Sequence, residues 1–228
     1  MRNQTQTSFD RAVLATGNPH KLEELRPVLL GEGVTLELLT LRDLPIATTE
    51  PNETGRTFEE NATIKALSYA QQTGMVCLAD DSGLEVDALG GKPGVISSHY
   101  STDGRETGLN REQRDEANNQ RVLTELHRIA APLRGGRFVC VMVVAVPGPD
   151  GPRAVFRCRG TFEGRIGEEG QVPRGSNGFG YDPLFLVAPE FAITSAELSP
   201  GEKNERSHRG SAARQLAAWL KGDRAPNL

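Results

Sequence analysis

At 228 residues and 37% hydrophobic content, the chain can bury a sizeable core, and α/β proteins of this length often fold as one unit. A net charge of −4 argues against an extended polyanion partner such as duplex DNA, which needs a basic face, but is compatible with a small anionic ligand held by a few local cations. Cys77, Cys140 and Cys158 sit in apolar strand-like runs without C-x-x-C spacing, which argues against a zinc site or disulfide framework and fits buried, reduced thiols in a cytoplasmic protein.

The segment 1–10 is polar, has no apolar signal-like region and precedes no membrane-length apolar run, so it reads as a flexible tail. Residues 11–221 read as a single α/β domain in two lobes, and 222–228 as a C-terminal tail. Ala12 to Ala15 reads as a buried strand, after which Asn18 and Pro19 supply an N-cap and a proline at the first helical position. Leu22, Leu25 and Leu29 repeat at helical spacing, and Pro27 is expected to kink or shorten that helix. Val34 to Leu39 reads as a second strand, and 44–56 as a polar loop. Thr57 and Glu60 form a capping box whose helix runs through Ala62, Lys65 and Ala70 to a stop at Gly74. Met75 to Ala79 is the next strand, expected to deliver Asp80 and Asp81 at its C-terminal end. The glycines of 89–94 argue against regular structure there. Asn110 with Gln113 caps a long helix carrying Val122, Leu126 and Ile129 on one side. Two further strands, 137–146 and 153–162, flank a Pro-Gly-Pro-Asp-Gly turn of hairpin chemistry, so the sheet is expected to be mixed. A short strand at 184–187 and a helix around 212–220, with Leu216, Trp219 and Leu220 turned to a core, complete the reading.

Several short motifs sit where strands end or helices begin. Thr16-Gly17-Asn18 leads into a helix N-terminus, where unpaired N–H groups and the dipole favour an anion, and Lys21 adds a point charge. A capped helix with a surface lysine accounts for the segment equally well, and no Walker loop is present. Asp80 and Asp81 are the sharper signal, because neighbours on a strand point to opposite faces and so take different work. One can hold Mg²⁺ or orient a water, joined by an acid from the 50–53 loop, since Mg²⁺ takes one or two carboxylates plus phosphate and water. Lys65, four residues after Asn61, reads on spacing alone as surface. Gly178-Phe179-Gly180-Tyr181-Asp182 combines backbone freedom with two rings and a carboxylate, and Lys203, His208 and Arg209 supply donors. In isolation these last two segments read as a structural loop and a solvated charge cluster.

Taken together and in order, these segments resemble the inosine triphosphate pyrophosphatase family, also called Ham1-like proteins, over nearly the whole chain from Val13 to about Leu220. The resemblance implies an elongated mixed α/β fold, two lobes around a central nucleotide-binding cleft, a homodimer, and Mg²⁺-dependent hydrolysis of ITP, dITP and XTP to the monophosphate and pyrophosphate. It implies a triphosphate turn at Thr16, Gly17, Asn18, Pro19, His20 and Lys21, with Lys65 also on phosphate, reversing its surface reading. Glu53 and Asp81 become metal ligands, Asp81 the catalytic proton acceptor, and Ser82 a substrate contact. Phe179, Gly180, Tyr181 and Asp182 become the base loop, with Lys203, His208 and Arg209 near the base's oxo edge. His99 stands where bacterial relatives often carry arginine. The resemblance implies no nucleic-acid or membrane partner. A Maf-type pyrophosphatase and a nucleotide sensor without turnover are the alternatives.

Overall fold

A computed structural model describes residues 9–222, so the expected tail 1–10 falls almost wholly, and the tail 222–228 all but its first residue, outside the described residues. Six strands form one mixed sheet in the order β2-β1-β3-β4-β5-β6. These are β1 (Arg11–Leu14), β2 (Glu37–Thr40), β3 (Cys77–Val86), β4 (Gly135–Val146), β5 (Arg153–Ile166) and β6 (Phe185–Val187). Among the described residues five α-helices accompany them: α1 (Pro19–Gly31), α2 (Phe58–Thr73), α3 (Arg111–Leu126), α4 (Pro200–Arg206) and α5 (His208–Leu220). β1 pairs parallel with β2 and with β3, whereas β5 and β6 are antiparallel, so the sheet is mixed as expected. Among the described residues no helix is long and apolar enough to cross a membrane.

The chain divides into two compact units. The first comprises the chain up to Asp81, Val141–Gly160, and the chain from Arg209 onward; the second comprises Ser82–Cys140 and Thr161–His208. In the first unit, Asn18 caps α1 through its side-chain oxygen, which accepts from the His20 N–H, and Pro19 occupies the first turn. Leu25 and Leu29 bury one side of α1, each contributing about 1.5–3 kcal/mol. Pro27 does not shorten the helix, which continues to Gly31 with both leucines buried on either side of it. α2 carries the expected capping box between Thr57 and Glu60 and ends at Gly74, whose φ is 66°. Phe156 on β5 stacks on Trp219 of α5 at 4.7 Å. The second strand begins at Glu37 rather than Val34.

The second unit has its own apolar core, built from Leu84, Val86, Tyr100, Val122, Leu126, Phe138, Phe162 and neighbours. Phe138 and Phe185 lie 4.5 Å apart between ring centroids, within the range where tilted aromatic pairs attract. Asn110 caps α3, as expected, and Val122 and Leu126 bury its core face. β5 alternates buried and exposed residues from Phe156 to Ile166, the period-2 signature of a strand with one face covered. β4 is buried along nearly all its length, as a central strand should be. One expectation fails: β3 does not stop at Ala79 but continues through Asp80, Asp81, Ser82 and Gly83 to Val86. The two carboxylates sit in mid-strand, where cations from elsewhere neutralise them.

Candidate active site

In the first unit, β1 lies beside β3 in parallel register, with Leu14 opposite Leu78 and the Ala15 N–H donating to the Leu78 carbonyl at 2.8 Å. The turn that leaves β1 therefore runs past Asp80. That turn is tightened by the Asn18 N–H, which donates to Thr16 Oγ1 at 3.1 Å. Thr16 and Asn18 are partly buried, while Gly17, Pro19 and His20 are exposed; His20 pairs with Glu23 at 3.1 Å. Lys21, on the first turn of α1, reaches Asp80 Oδ1 at 3.0 Å. Asp80 is 3% exposed, and its Oδ2 also takes Arg209 Nη2 at 3.2 Å. Arg209, itself 1% exposed, makes a further short contact to Glu24. Burial works against the Asp80 charge, but Lys21, Arg209 and Lys65 outweigh it and hold the carboxyl well below the usual carboxylate range.

Asp81 faces other partners, as strand alternation requires. Lys65, at 8% exposure on α2, is not a surface residue: its Nζ donates to Asp81 Oδ1 at 2.9 Å and to Glu53 Oε2 at 3.0 Å. Burial opposes the ammonium charge, yet Asp81, Glu53 and Asp80 outweigh it and raise the pKa above the ordinary lysine value. Burial pushes the Asp81 carboxyl up, against the pull of Lys65 and Lys21. The two adjacent aspartates are thus shifted in opposite directions, Asp80 down by its cations and Asp81 up by burial. The Glu53 loop is anchored by the Gly55 N–H, which donates to Asn61 Oδ1 of α2 at 2.8 Å.

Whether these residues suit Mg²⁺ can be judged from Asp81. Its Oδ2 is buried with no hydrogen-bond partner, a vacant acceptor beside Glu53, whose side chain is 32% exposed. Among the described residues no cluster of three or more His, Cys, Asp or Glu is poised to hold a metal. A two-carboxylate set suits a hard ion that completes its shell with phosphate and water.

The second unit brings together another group. Lys203 Nζ donates to Asp182 Oδ2 at 2.6 Å, both residues being buried, and Ser195 donates to Asp182 Oδ1 at 2.7 Å. The Asp182 carboxylate in turn accepts the Phe179 N–H at 2.8 Å. Gly178 has φ 81°, and a Cβ there would lie 2.1 Å from Asp182 Oδ2, so the loop requires glycine at this position. Phe179 is half-buried, with Lys203 Nζ 5.4 Å from its ring centroid. Tyr181 is buried and donates to the Ser97 carbonyl at 2.7 Å. His208 is stacked on Phe138 at 5.2 Å. Ser82 is partly buried on β3. His99 engages Glu106 at 2.8 Å, Arg114 at 3.1 Å and Ser98 at 2.9 Å.

Sequence reading missed Asp80 as an anchor for two cations, Glu24 as a second anion on Arg209, and Phe138 beneath His208. Only Asp80 carried a signal, its place one residue from Asp81 on a strand. The other two are contacts across long stretches of chain.

The chain matches the model of the Ham1 family over residues 12–219. It is 43% identical over 212 residues to a dITP/XTP pyrophosphatase of Thioalkalivibrio sulfidiphilus, covering 93% of this chain and 99% of that protein. It is 49% identical over 204 residues to a dITP/XTP pyrophosphatase of Nitratidesulfovibrio vulgaris, covering 90% and 92% respectively. Among solved structures, a HAM1 protein from Coxiella burnetii superposes with a TM-score of 0.76 at 39% identity, covering 94% of this chain and all of that one. Motifs, fold and full-length similarity agree, and the chain belongs to the Ham1 family.

Proposed function

We propose that this protein is a hydrolase of non-canonical purine nucleoside triphosphates, converting ITP, dITP and XTP to the monophosphate and pyrophosphate and so clearing them from the nucleotide pool. The observation that carries the reading is Lys65, buried and held between Glu53 and Asp81, with Asp81 Oδ2 lacking a partner beside it. The dITP/XTP pyrophosphatase names of full-length relatives support the same substrate class.

Glu53 and Asp81 would hold Mg²⁺, which when bound neutralises phosphate charge and lowers the pKa of water. Thr16, Gly17, Asn18, Pro19, His20 and Lys21 offer backbone donors and a cation to the triphosphate, and Asp80 fixes the Lys21 ammonium. Lys65 supplies a second cation on phosphate. Asp81, its carboxyl raised by burial, accepts the proton of the attacking water, with Ser82 beside it as a substrate contact. On the second unit, the Phe179, Gly180, Tyr181 and Asp182 loop receives the base. Lys203 and His208, on the same unit, direct donors to its 6-oxo edge, while on the first unit Asp80 and Glu24 orient the guanidinium of Arg209, a further donor for the substrate. Adenine would set an amino donor against the Lys203 ammonium, which cannot accept; a site that leaves buried polar groups unpaired discriminates strongly. We further propose a homodimer working in the cytoplasm.

The test is pyrophosphate release from ITP, dITP, XTP, ATP, GTP, dTTP and UTP, with and without Mg²⁺. Preference for ITP, dITP and XTP, dependent on Mg²⁺, supports the reading. Activity confined to dTTP or UTP points to a Maf-type enzyme, and binding without release to a sensor. Asp81→Asn should remove turnover while sparing nucleotide binding; full activity in that variant refutes the assigned base.

A further inference from the structure

The residues Arg111, Asp115 and Asn119 recur every fourth position of α3 and so form one stripe along the helix. All three meet the 178–182 loop. The Arg111 guanidinium carbon lies 4.7 Å from the Phe179 ring centroid. Asp115 Oδ2 accepts the Gly180 N–H at 3.0 Å, and Asn119 Nδ2 donates to the Gly180 carbonyl at 3.1 Å. Both backbone polar groups of Gly180 therefore end on side chains of α3. Gly180 has φ 62° and lies outside any strand or helix, so no regular ladder fixes this stretch. Asp115 is itself oriented by Arg111, 3.9 Å away, and its side chain is three-quarters buried, where a hydrogen bond to a carboxylate is stronger than in water.

We propose that this stripe is the positioning element of base recognition: Asp115 and Asn119 hold the Gly180 peptide and thereby the plane of the Phe179 ring, determining purine selectivity without touching the nucleotide. The proposal rests on reading 178–182 as the base loop. A loop already held in its binding conformation loses less freedom when the base arrives, so the effect falls on affinity rather than on the chemical step. Residues that act on phosphate lie in the first unit and are not addressed by this stripe.

The experiment measures KM and kcat for ITP and ATP in purified full-length Asp115→Ala, Asp115→Asn and Asn119→Asp, with inorganic tripolyphosphate as a competitive inhibitor and thermal unfolding as a check on folding. Asp115→Ala should raise KM for ITP about ten-fold, the loss of one charge-assisted hydrogen bond, with kcat within about two-fold and a smaller preference for ITP over ATP. Asp115→Asn keeps an acceptor for the Gly180 N–H and should stay within about three-fold of wild-type KM. Tripolyphosphate has no base and should inhibit every variant at the wild-type concentration. If Asp115→Ala does not fold, Asn119→Asp carries the test, because it sets a carboxylate against the Gly180 carbonyl in the same volume and should raise KM likewise. An unmoved KM overturns the proposal, as does a parallel loss of tripolyphosphate affinity. A wild-type protein that turns over no 6-oxo purine nucleotide fails the underlying reading first, an outcome distinct from active wild type with unmoved variants.

Discussion

Replacing Gly178 by alanine should damage the second unit in two separable ways. The first is backbone strain: Gly178 has φ 81°, and an L-residue held in the left-handed region costs about 1–2 kcal/mol. The second is collision, since the new Cβ would stand 2.1 Å from Asp182 Oδ2 and 2.5 Å from Lys203 Nζ, well inside van der Waals contact. Relief requires parting a buried pair at 2.6 Å whose side chains are only 7% and 5% exposed. Breaking such a pair costs about 3–5 kcal/mol, so the whole substitution should cost about 4–7 kcal/mol, a large share of a typical 5–15 kcal/mol stability. Gly170→Ala is the internal control: φ there is 84°, but no atom stands within 4 Å of an added Cβ, so it carries the backbone term alone. Denaturant unfolding of both variants, followed by far-UV circular dichroism, isolates the collision as the difference between them, expected at about 3–5 kcal/mol. Two variants within about 1 kcal/mol of each other would show that the Lys203–Asp182 pair is not fixed as described, and the reasoning would fail.

Three further outcomes are expected. Asp80→Asn takes from Lys21 its carboxylate partner and leaves the buried Arg209 with Glu24 alone of its two, and should cost about 3–5 kcal/mol near neutral pH. Because the folded pKa of Asp80 lies below the unfolded value of about 3.9, its stabilisation is fully present above that value and is lost as pH falls below it; a gap between wild type and variant that stays constant on acidification would contradict this. Asn118, 2% exposed, donates to the Ser97 and Ser98 carbonyls and accepts the Ser101 N–H at 2.7 Å. Asn118→Ala should therefore lower Tm by roughly 5–15 °C in a calorimetric scan, and a drop below about 2 °C would count against the anchoring role. Burial pushes the Cys77 thiol up to about 11 and the Cys158 thiol up to about 12, so a colourimetric thiol reagent at pH 8 should find no fast-reacting cysteine in native protein and all three after unfolding.

Local chemistry was legible in the sequence wherever the cause is local. The Asn18, Thr57 and Asn110 caps sit within three residues of the N–H groups they satisfy, and each helix begins where its cap predicts. The end of β3 was not legible, because Asp80-Asp81-Ser82-Gly83 has the composition of a turn. Its carboxylates tolerate mid-strand burial only through Lys65, Lys21 and Arg209, which lie 16, 59 and 129 residues away along the chain. Lys65 illustrates the same limit from the other side. Spacing on α2 cannot distinguish an inward lysine from an outward one, and the anions that decide the matter come from a loop and a neighbouring strand. The polar stripe of α3 was not read from the sequence, because its target, the backbone of Gly180, has no side chain to betray the contact.

The division of the chain has a consequence for biosynthesis. The backbone passes from one compact unit to the other at Asp81, Cys140, Gly160 and His208, so neither unit is a continuous stretch of polypeptide. A ribosome releasing this chain has delivered Lys21, Glu24 and Asp80 long before Arg209, the cation that joins two of them, emerges with α5. The first unit cannot close its charge network or stack Trp219 on Phe156 until α5, the last of the described helices, is made. The second unit has its last residue, His208, before the first unit receives its final segment, reversing the order in which the two begin.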